Sequence, residues 1–278
     1  MTTFAPVEVV DAFDFRGRVV VVTGGTRGIG RSVVQRFLAC GADVVATGRN
    51  HVADEGLPDA VDGAGERRRA VGWFGDLREA AAASELVDAA TGRFGRLDVL
   101  VNNAGGSPKV DAADASPRFT NSVVALNLLA PLYCATAANR VMQGQSTGGS
   151  VVNVASVSGL RPSPGTAAYG AAKAGLVSLT QSLALEWAPR VRVNAVTAGM
   201  VATEASTDHY GGPEGLAEVG KTVPIGRMAR PEEIADCCLF LASSMASYVT
   251  GSNLVAHGGG ERPGFLVALE RLAEAADG

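Results

Sequence analysis

Short apolar runs alternate along this chain with longer stretches whose apolar positions recur at helical spacing. The pattern predicts strands at 19–23, 43–47, 71–74, 98–102, 150–154, 192–196 and 253–257. Between them it predicts helices at 31–40, 80–94, 121–139, 168–187 and 231–242. Apolar strands that alternate with helices imply a parallel sheet covered on both faces, an α/β doubly wound fold of about seven strands. Three segments fit less well. Residues 1–15 precede the first strand and read as an N-terminal arm. The segment 51–69 is rich in Gly, Asp and Arg, and predicts a short helix plus loop as the crossover after the second strand. Beyond the last strand, Phe265, Leu266, Leu269 and Leu272 stand at helical spacing and predict an amphipathic C-terminal helix within 261–278. No linker or repeat divides 16–260, which reads as one domain.

Composition narrows the function. With 47% hydrophobic residues, 35 glycines and a formal net charge of -4, the chain has a sizeable core and no basic face for a phosphate backbone, so nucleic acid is not an expected partner. Cys40, Cys134, Cys237 and Cys238 form no CxxC pair and have no His at metal-ligand spacing, which reads as reduced thiols and no metal site. Neither a secretory start nor an apolar run of roughly 20 residues is evident, so a cytoplasmic protein with no membrane partner is expected.

The chemistry concentrates where strands end. Gly24, Gly25, Thr26, Arg27, Gly28, Ile29 and Gly30 join the first strand to the first helix, the place where doubly wound sheets hold the pyrophosphate of a dinucleotide. The second strand ends in Gly48-Arg49 with no carboxylate to take an adenosine ribose hydroxyl. Arg27 and Arg49 are instead placed to flank a 2′-phosphate, so NADP(H) is expected in preference to NAD(H), which remains possible. Tyr169 and Lys173 stand one helical turn apart and share a helix face. A nearby ammonium favours the phenolate and brings a phenol closer to working pH as an acid or base. Ser156 lies thirteen positions before Tyr169, directly after a strand.

The Gly-x-x-x-Gly-x-Gly turn, Asn102-Asn103-Ala104-Gly105, and Ser156 with Tyr169-x-x-x-Lys173 together resemble the short-chain dehydrogenase/reductase family, and in particular its 3-oxoacyl thioester and other carbonyl reductases. The resemblance runs from Gly17 to about Gly260. It implies that Asn103, Ala104 and Gly105 lie against the adenine ribose, and that Asp76, followed by Leu77, meets the adenine ring. It further implies that Ser156 holds the substrate oxygen, Tyr169 exchanges the proton, Lys173 binds the nicotinamide ribose and lowers the tyrosine pKa, and Asn127 holds a linking water. Ala198 replaces the proline usual before the nicotinamide contacts, leaving Val201 and Thr203 as those contacts. Residues 203–223 resemble the family's substrate lid, from which His209 and Tyr210 could reach the pocket. His257 stands where the family often has Asp.

The resulting expectation is hydride transfer between nicotinamide and a carbonyl or secondary alcohol of a small molecule. The resemblance also implies a homo-oligomer, a tetramer or dimer. A non-catalytic nicotinamide sensor or scaffold, or an epimerase or dehydratase on the same fold, are the competing readings.

Overall fold

The structure, a computed structural model, describes residues 11–266, 268, 269 and 272. Its first half runs β1 (Val19–Val22), α1 (Gly28–Ala39), β2 (Asp43–Gly48), β3 (Asp59–Val61), β4 (Arg67–Arg69), β5 (Val71–Phe74), α2 (Ala80–Phe94) and β6 (Val99–Asn102). Then come α3 (Pro117–Val124), a π-helical turn (Ala125–Leu129), α4 (Ala130–Gly144), β7 (Gly149–Ser156) and α5 (Ala167–Trp187). The chain continues through β8 (Val191–Ala198), α6 (Glu204–His209), α7 (Pro213–Lys221), α8 (Pro231–Ala242) and β9 (Asn253–Ala256).

Among the described residues, seven strands form one sheet in the order β5-β2-β1-β6-β7-β8-β9, with every pair parallel. A parallel sheet must be covered on both faces, and alternate residues of each strand serve opposite cores. Val20 and Val22 point with Val44, Val99 and Val101 toward α1 and α8. Val19 and Val21 point with Leu100, Val151 and Val193 toward α2, α4 and α5. Phe37, fully buried, meets Phe15 edge-on at 5.0 Å between ring centroids. Ala12 and Phe15 of the N-terminal arm are therefore packed into the molecule.

The crossover from β2 to β5 departs from the sequence expectation. Its short helix is one 3-10 turn (Asp54–Gly56), and the expected loop is an antiparallel β3–β4 hairpin. Asp62 caps the hairpin turn, accepting from the Ala64 and Glu66 amides at 2.9 and 3.0 Å and from Arg68 Nε at 2.7 Å. That is a side chain supplying the turn's geometry where the apolar period is absent. The lid segment forms two short helices, α6 and α7. Of the C-terminal segment, Gly264–Leu266, Ala268, Leu269 and Leu272 are helical, with Phe265, Leu269 and Leu272 exposed.

A second departure concerns apolar length. Pro117–Gly144 is 28 residues long and contains an 18-residue stretch with a mean hydropathy of 1.3, long and apolar enough by composition to cross a membrane. Its apolar residues are accounted for otherwise, because Ala130, Cys134, Ala135, Ala138 and Met142 pack in the core against the sheet. All four cysteines are free thiols, and burial pushes Cys134 up to about 12.

A buried polar thread crosses from sheet to helix. Asn102 Nδ2 donates to Asn153 Oδ1 at 2.9 Å and to the Pro131 carbonyl at 3.1 Å. Asn153 Nδ2 in turn donates to Thr180 Oγ1 at 2.9 Å, and Thr180 returns its own proton to the Leu176 carbonyl at 2.8 Å. All three side chains are buried. Buried amides stay in place only when paired, so the thread fixes the register of α5 on β6 and β7. Replacing Asn153 by Ala should lower unfolding stability by about 1–3 kcal/mol in urea titration. An unchanged midpoint would remove the thread from the forces holding α5.

Candidate active site

The carboxyl ends of β1, β2, β6, β7 and β8 gather the predicted residues at one edge of the sheet. At β1 the chain turns through Gly24 and Gly28, whose φ values of 63° and 52° are left-handed. Thr23 ties this turn to β6: its hydroxyl accepts from the Asn103 and Ala104 amides, each at 3.0 Å. Asn103 Nδ2 answers by donating to the carbonyls of Thr23 and Gly24 at 3.0 and 3.2 Å. Gly30 must be glycine here, since a Cβ would stand 2.1 Å from the Gly24 carbonyl oxygen and 2.5 Å from Asn103 Nδ2. Thr23, and the side chain of Asn103 as a latch, were not legible as functional from the sequence, although a Thr facing an Asn-Asn turn is the signal that marks them.

The start of α1 has the features that an anion site requires. Its N-cap, Arg27, makes no side-chain cap, and its first turn holds no acidic residue, leaving the first amides free to face an incoming phosphate. Ile29 is half-buried against the core, and Thr26 lies beside Gly48. Arg27 and Arg49 are both exposed at this mouth, and no described side chain pairs with either. Asp76, after β5, is held by Arg78, whose Nε lies 2.9 and 3.0 Å from its two oxygens. That pairing, with Arg49 adding a smaller share, keeps the Asp76 carboxyl below the usual carboxylate range. Leu77 is buried beneath it.

The residues around Tyr169 converge through α5 and the π-helical turn. Ser156 ends β7, and its Oγ accepts from the Ser158 amide at 3.2 Å. The turn after it presses on α5, because a Cβ on Gly170 would lie 2.7 Å from the Ser158 carbonyl. The Ser156 hydroxyl lies near enough to the Tyr169 phenol to act on its pKa. Burial pushes the Tyr169 phenol up, and the Ser156 hydrogen bond opposes it only in part. The lowering by Lys173 that the resemblance implies is not the dominant effect. Lys173 Nζ lies 5.8 Å from the Tyr169 ring centroid, and it donates to the Val154 carbonyl at 2.8 Å.

Lys173 is fully buried without a carboxylate, and desolvation brings its ammonium down to about 8 from an ordinary 10.5. Asn127, completely buried, sits in the π-helical turn, a local widening of the helix common at functional sites. Its Oδ1 accepts from the Gly106 amide at 2.9 Å, and its Nδ2 donates to the carbonyls of Gly106 and Val123 at 3.0 and 2.9 Å. A methyl on Gly105 would fall 2.7 Å from Asn127 Oδ1 and 3.2 Å from Lys173 Nζ, so these three residues meet at one point.

Val201 bridges Ala229, and Thr203 caps α6 with its hydroxyl accepting from the Ser206 amide at 3.2 Å. The Thr203 methyl faces Gly28 across a cavity of about 330 Å³. A second cavity, about 390 Å³, lies between the turn after Ser156, Met200, His257 and the chain from Gly260 to Pro263. Tyr210 reaches Met200, its hydroxyl 3.4 Å from Sδ, while the His209 side chain falls outside the described residues.

This arrangement places the protein among doubly wound α/β folds, whose ligands lie beyond the carboxyl ends of the strands. Comparison with known proteins narrows the class. A family profile described as Enoyl-(Acyl carrier protein) reductase matches residues 24–261. A short-chain type dehydrogenase/reductase of Sinorhizobium fredii, itself uncharacterized, is 41% identical over 246 residues, which are 87% of this chain and 43% of that relative. D-threitol dehydrogenase of Mycolicibacterium smegmatis is 37% identical over 251 residues, 89% of this chain and 95% of the relative. The ligand-free structure of Thermoplasma acidophilum aldohexose dehydrogenase superposes with a TM-score of 0.79 at 29% identity, covering 88% of this chain and 94% of that one. The chain belongs to the short-chain dehydrogenase/reductase family of oxidoreductases.

The buried lysine gives a test by proton linkage. Between about 8 and 10.5 the unfolded chain still holds a proton that folded Lys173 has released, so this group's contribution to stability rises with pH across that window. A Lys173→Met variant should exceed wild type in stability most below pH 8, and its advantage should shrink toward pH 10.5. Urea titrations at several pH values measure this, and a pH-independent difference would mean that the amine is not buried in its charged form.

Proposed function

We propose that the protein is an NADP(H)-dependent oxidoreductase that interconverts a carbonyl and a secondary alcohol, with Tyr169 as the proton donor in reduction. The observation that carries this reading is the gathering of Ser156, at the end of β7, with Tyr169 and the buried Lys173, whose Nζ lies 5.8 Å from the Tyr169 ring centroid. The reduced nicotinamide, when bound, supplies a hydride to the carbonyl carbon. Ser156 holds the carbonyl oxygen in place for this transfer. Burial keeps the Tyr169 phenol protonated at neutral pH, so its O–H is available to pass a proton to the oxygen as negative charge develops there. Lys173, which donates to the Val154 carbonyl, is placed to hydrogen-bond the ribose, and Asn127 fixes the backbone at Gly106 beside it.

The glycine turn, the uncapped start of α1 and the backbone of Asn103 to Gly105 would hold the dinucleotide, with Asp76 toward the adenine and Val201 and Thr203 toward the nicotinamide end. NADP(H) rather than NAD(H) is supported by Arg27 and Arg49, two guanidinium groups without described partners where an NAD site would carry an acid. The same reading takes 16–260 as the catalytic domain with its lid at 203–223, between an arm at 1–15 and a helical extension at 261–278. It places a homo-oligomer, a tetramer or dimer, in the cytoplasm.

Replacing Tyr169 by Phe should abolish turnover, followed as loss of NADPH absorbance over a panel of ketones, while the Kd for NADPH stays within about three-fold of wild type. Turnover that survives would exclude the phenol as the essential acid. Replacing both Arg27 and Arg49 by Ala should raise the Kd for NADPH at least about ten-fold and leave that for NADH nearly unchanged, because a hydrogen bond to a charged group contributes about 1.5–3 kcal/mol. Equal losses for the two nucleotides would reverse the cofactor assignment.

A further inference from the structure

The cavity of about 390 Å³ beyond Ser156 carries charges that the proposed hydride transfer does not use. Val157, next to Ser156, and Met200, in the loop after β8, form the wall nearest the chemistry. Arg161 forms the far wall, one turn further along the chain, its amide donating to the Val157 carbonyl at 3.1 Å. Facing it is Glu261, a hundred positions later, brought back over the cavity by a turn through Gly258, Gly259 and Gly260, all left-handed at φ 64°, 96° and 90°. Successive left-handed residues are a conformation glycine alone adopts readily, so this return path is written into the sequence. Backbone bonds from Arg262 to Thr222, at 2.9 Å, and from Ile225 to Gly258, at 3.1 Å, fasten it to the end of the 203–223 segment and to the chain just beyond.

The contact between Arg161 and Glu261 is unusual in form. Nε, at 3.0 Å, and Nη2 both converge on Oε1 of Glu261. The guanidinium fork is thus spent on a single oxygen, whereas a free carboxylate could present one oxygen to each N–H. Both side chains keep about a third of their surface exposed, 35% for Arg161 and 36% for Glu261, so screening makes the pair weak and easily exchanged. Arg262 lines the same cavity.

We propose that Arg161 is the specificity-determining residue of the substrate pocket, that it takes the carboxylate of an oxo acid, and that Glu261 is an internal stand-in which that carboxylate displaces. The inference rests on the reading of this site as a carbonyl reductase. It places the substrate's carbonyl at Ser156 and Tyr169 and its acid group at Arg161. Displacing Glu261 releases the return path at the point where it is fastened to the lid. Selection of an acid thereby comes from a pre-positioned guanidinium and from an internal competitor that a neutral ketone has no means to remove.

The test uses the NADPH-saturated protein with two matched pairs, 4-oxopentanoate and its methyl ester, and 4-acetylbenzoate and its methyl ester. kcat/KM is measured for each, together with calorimetric binding to the NADP⁺ complex. For at least one pair, wild type should favour the acid by about ten-fold or more. Arg161→Gln should erase that preference and leave the ester within about two-fold, while Glu261→Gln should raise kcat/KM for the acid and leave the ester unchanged. Acid and ester handled alike by wild type, or lowered in parallel by Arg161→Gln, would overturn the carboxylate assignment while leaving the reductase reading intact. Acid binding that depends on Arg161 without turnover of any compound would overturn the reductase reading and sustain the site. Absence of both binding and turnover would overturn the two together.

Discussion

The seating of α5 on β7 is the constraint on which the rest of this structure depends. Two buried contacts define it: Asn153 reaching Thr180 in the middle of the helix, and Lys173 reaching the Val154 carbonyl near its start. Each pairs a polar group that burial would otherwise leave costly. With α5 fixed at these two points, Tyr169 is held near Ser156. The lysine makes this seating conditional. An ammonium desolvated enough to fall to about 8 is retained at an energetic cost, which is reasonable where the group has a second partner to meet.

Electrostatics divide the same edge of the sheet into regions of different character. Around the glycine turn lie the uncapped amides of α1 and the exposed Arg27 and Arg49, a positive region of the surface. At its side Asp76 is neutralised by Arg78, and Arg78 also reaches Ser122 at 2.6 Å, which joins the start of α2 to α3. Below lies the chamber of Asn127, Lys173 and Tyr169, where dipoles of carbonyls and amides, rather than a carboxylate, surround the buried ammonium. Further out, beyond Met200, charge returns as the exposed Arg161–Glu261 pair. Binding groups that tolerate water lie at the rim and the group that must hold a proton lies within.

What the sequence disclosed of this molecule was whatever is local along the chain. Strand runs such as 150–154 and helix periods such as 231–242 announce themselves within a few residues, and so do the glycine turn and the one-turn spacing of Tyr169 and Lys173. What it withheld depends on distant partners or on side chains acting as backbone. The β3–β4 hairpin is set by Asp62 capping its turn, with no apolar alternation to betray it. The π-helical turn at Asn127 leaves the apolar period almost undisturbed. Asn102 and Asn153 each interrupt an apolar strand, a signal that marks them as paired without naming the partner. Arg161 and Glu261 meet only after the chain has doubled back, and no spacing rule relates them.

The packing of α1 on α8 has a consequence for the order of assembly. Ser32 bonds Glu232 at 3.1 Å and Arg36 pairs with Asp236 at 2.6 Å, each across 200 positions of chain, and Val33 and Phe37 share a core with Ile234 and Cys238. On a ribosome, α1 therefore emerges about 200 residues ahead of its partner and waits with an apolar face uncovered until α8 has been made. The glycine turn and α1 are thus among the last parts of this domain to become solid, and the long interval before α8 arrives is when this chain has most need of protection from its neighbours.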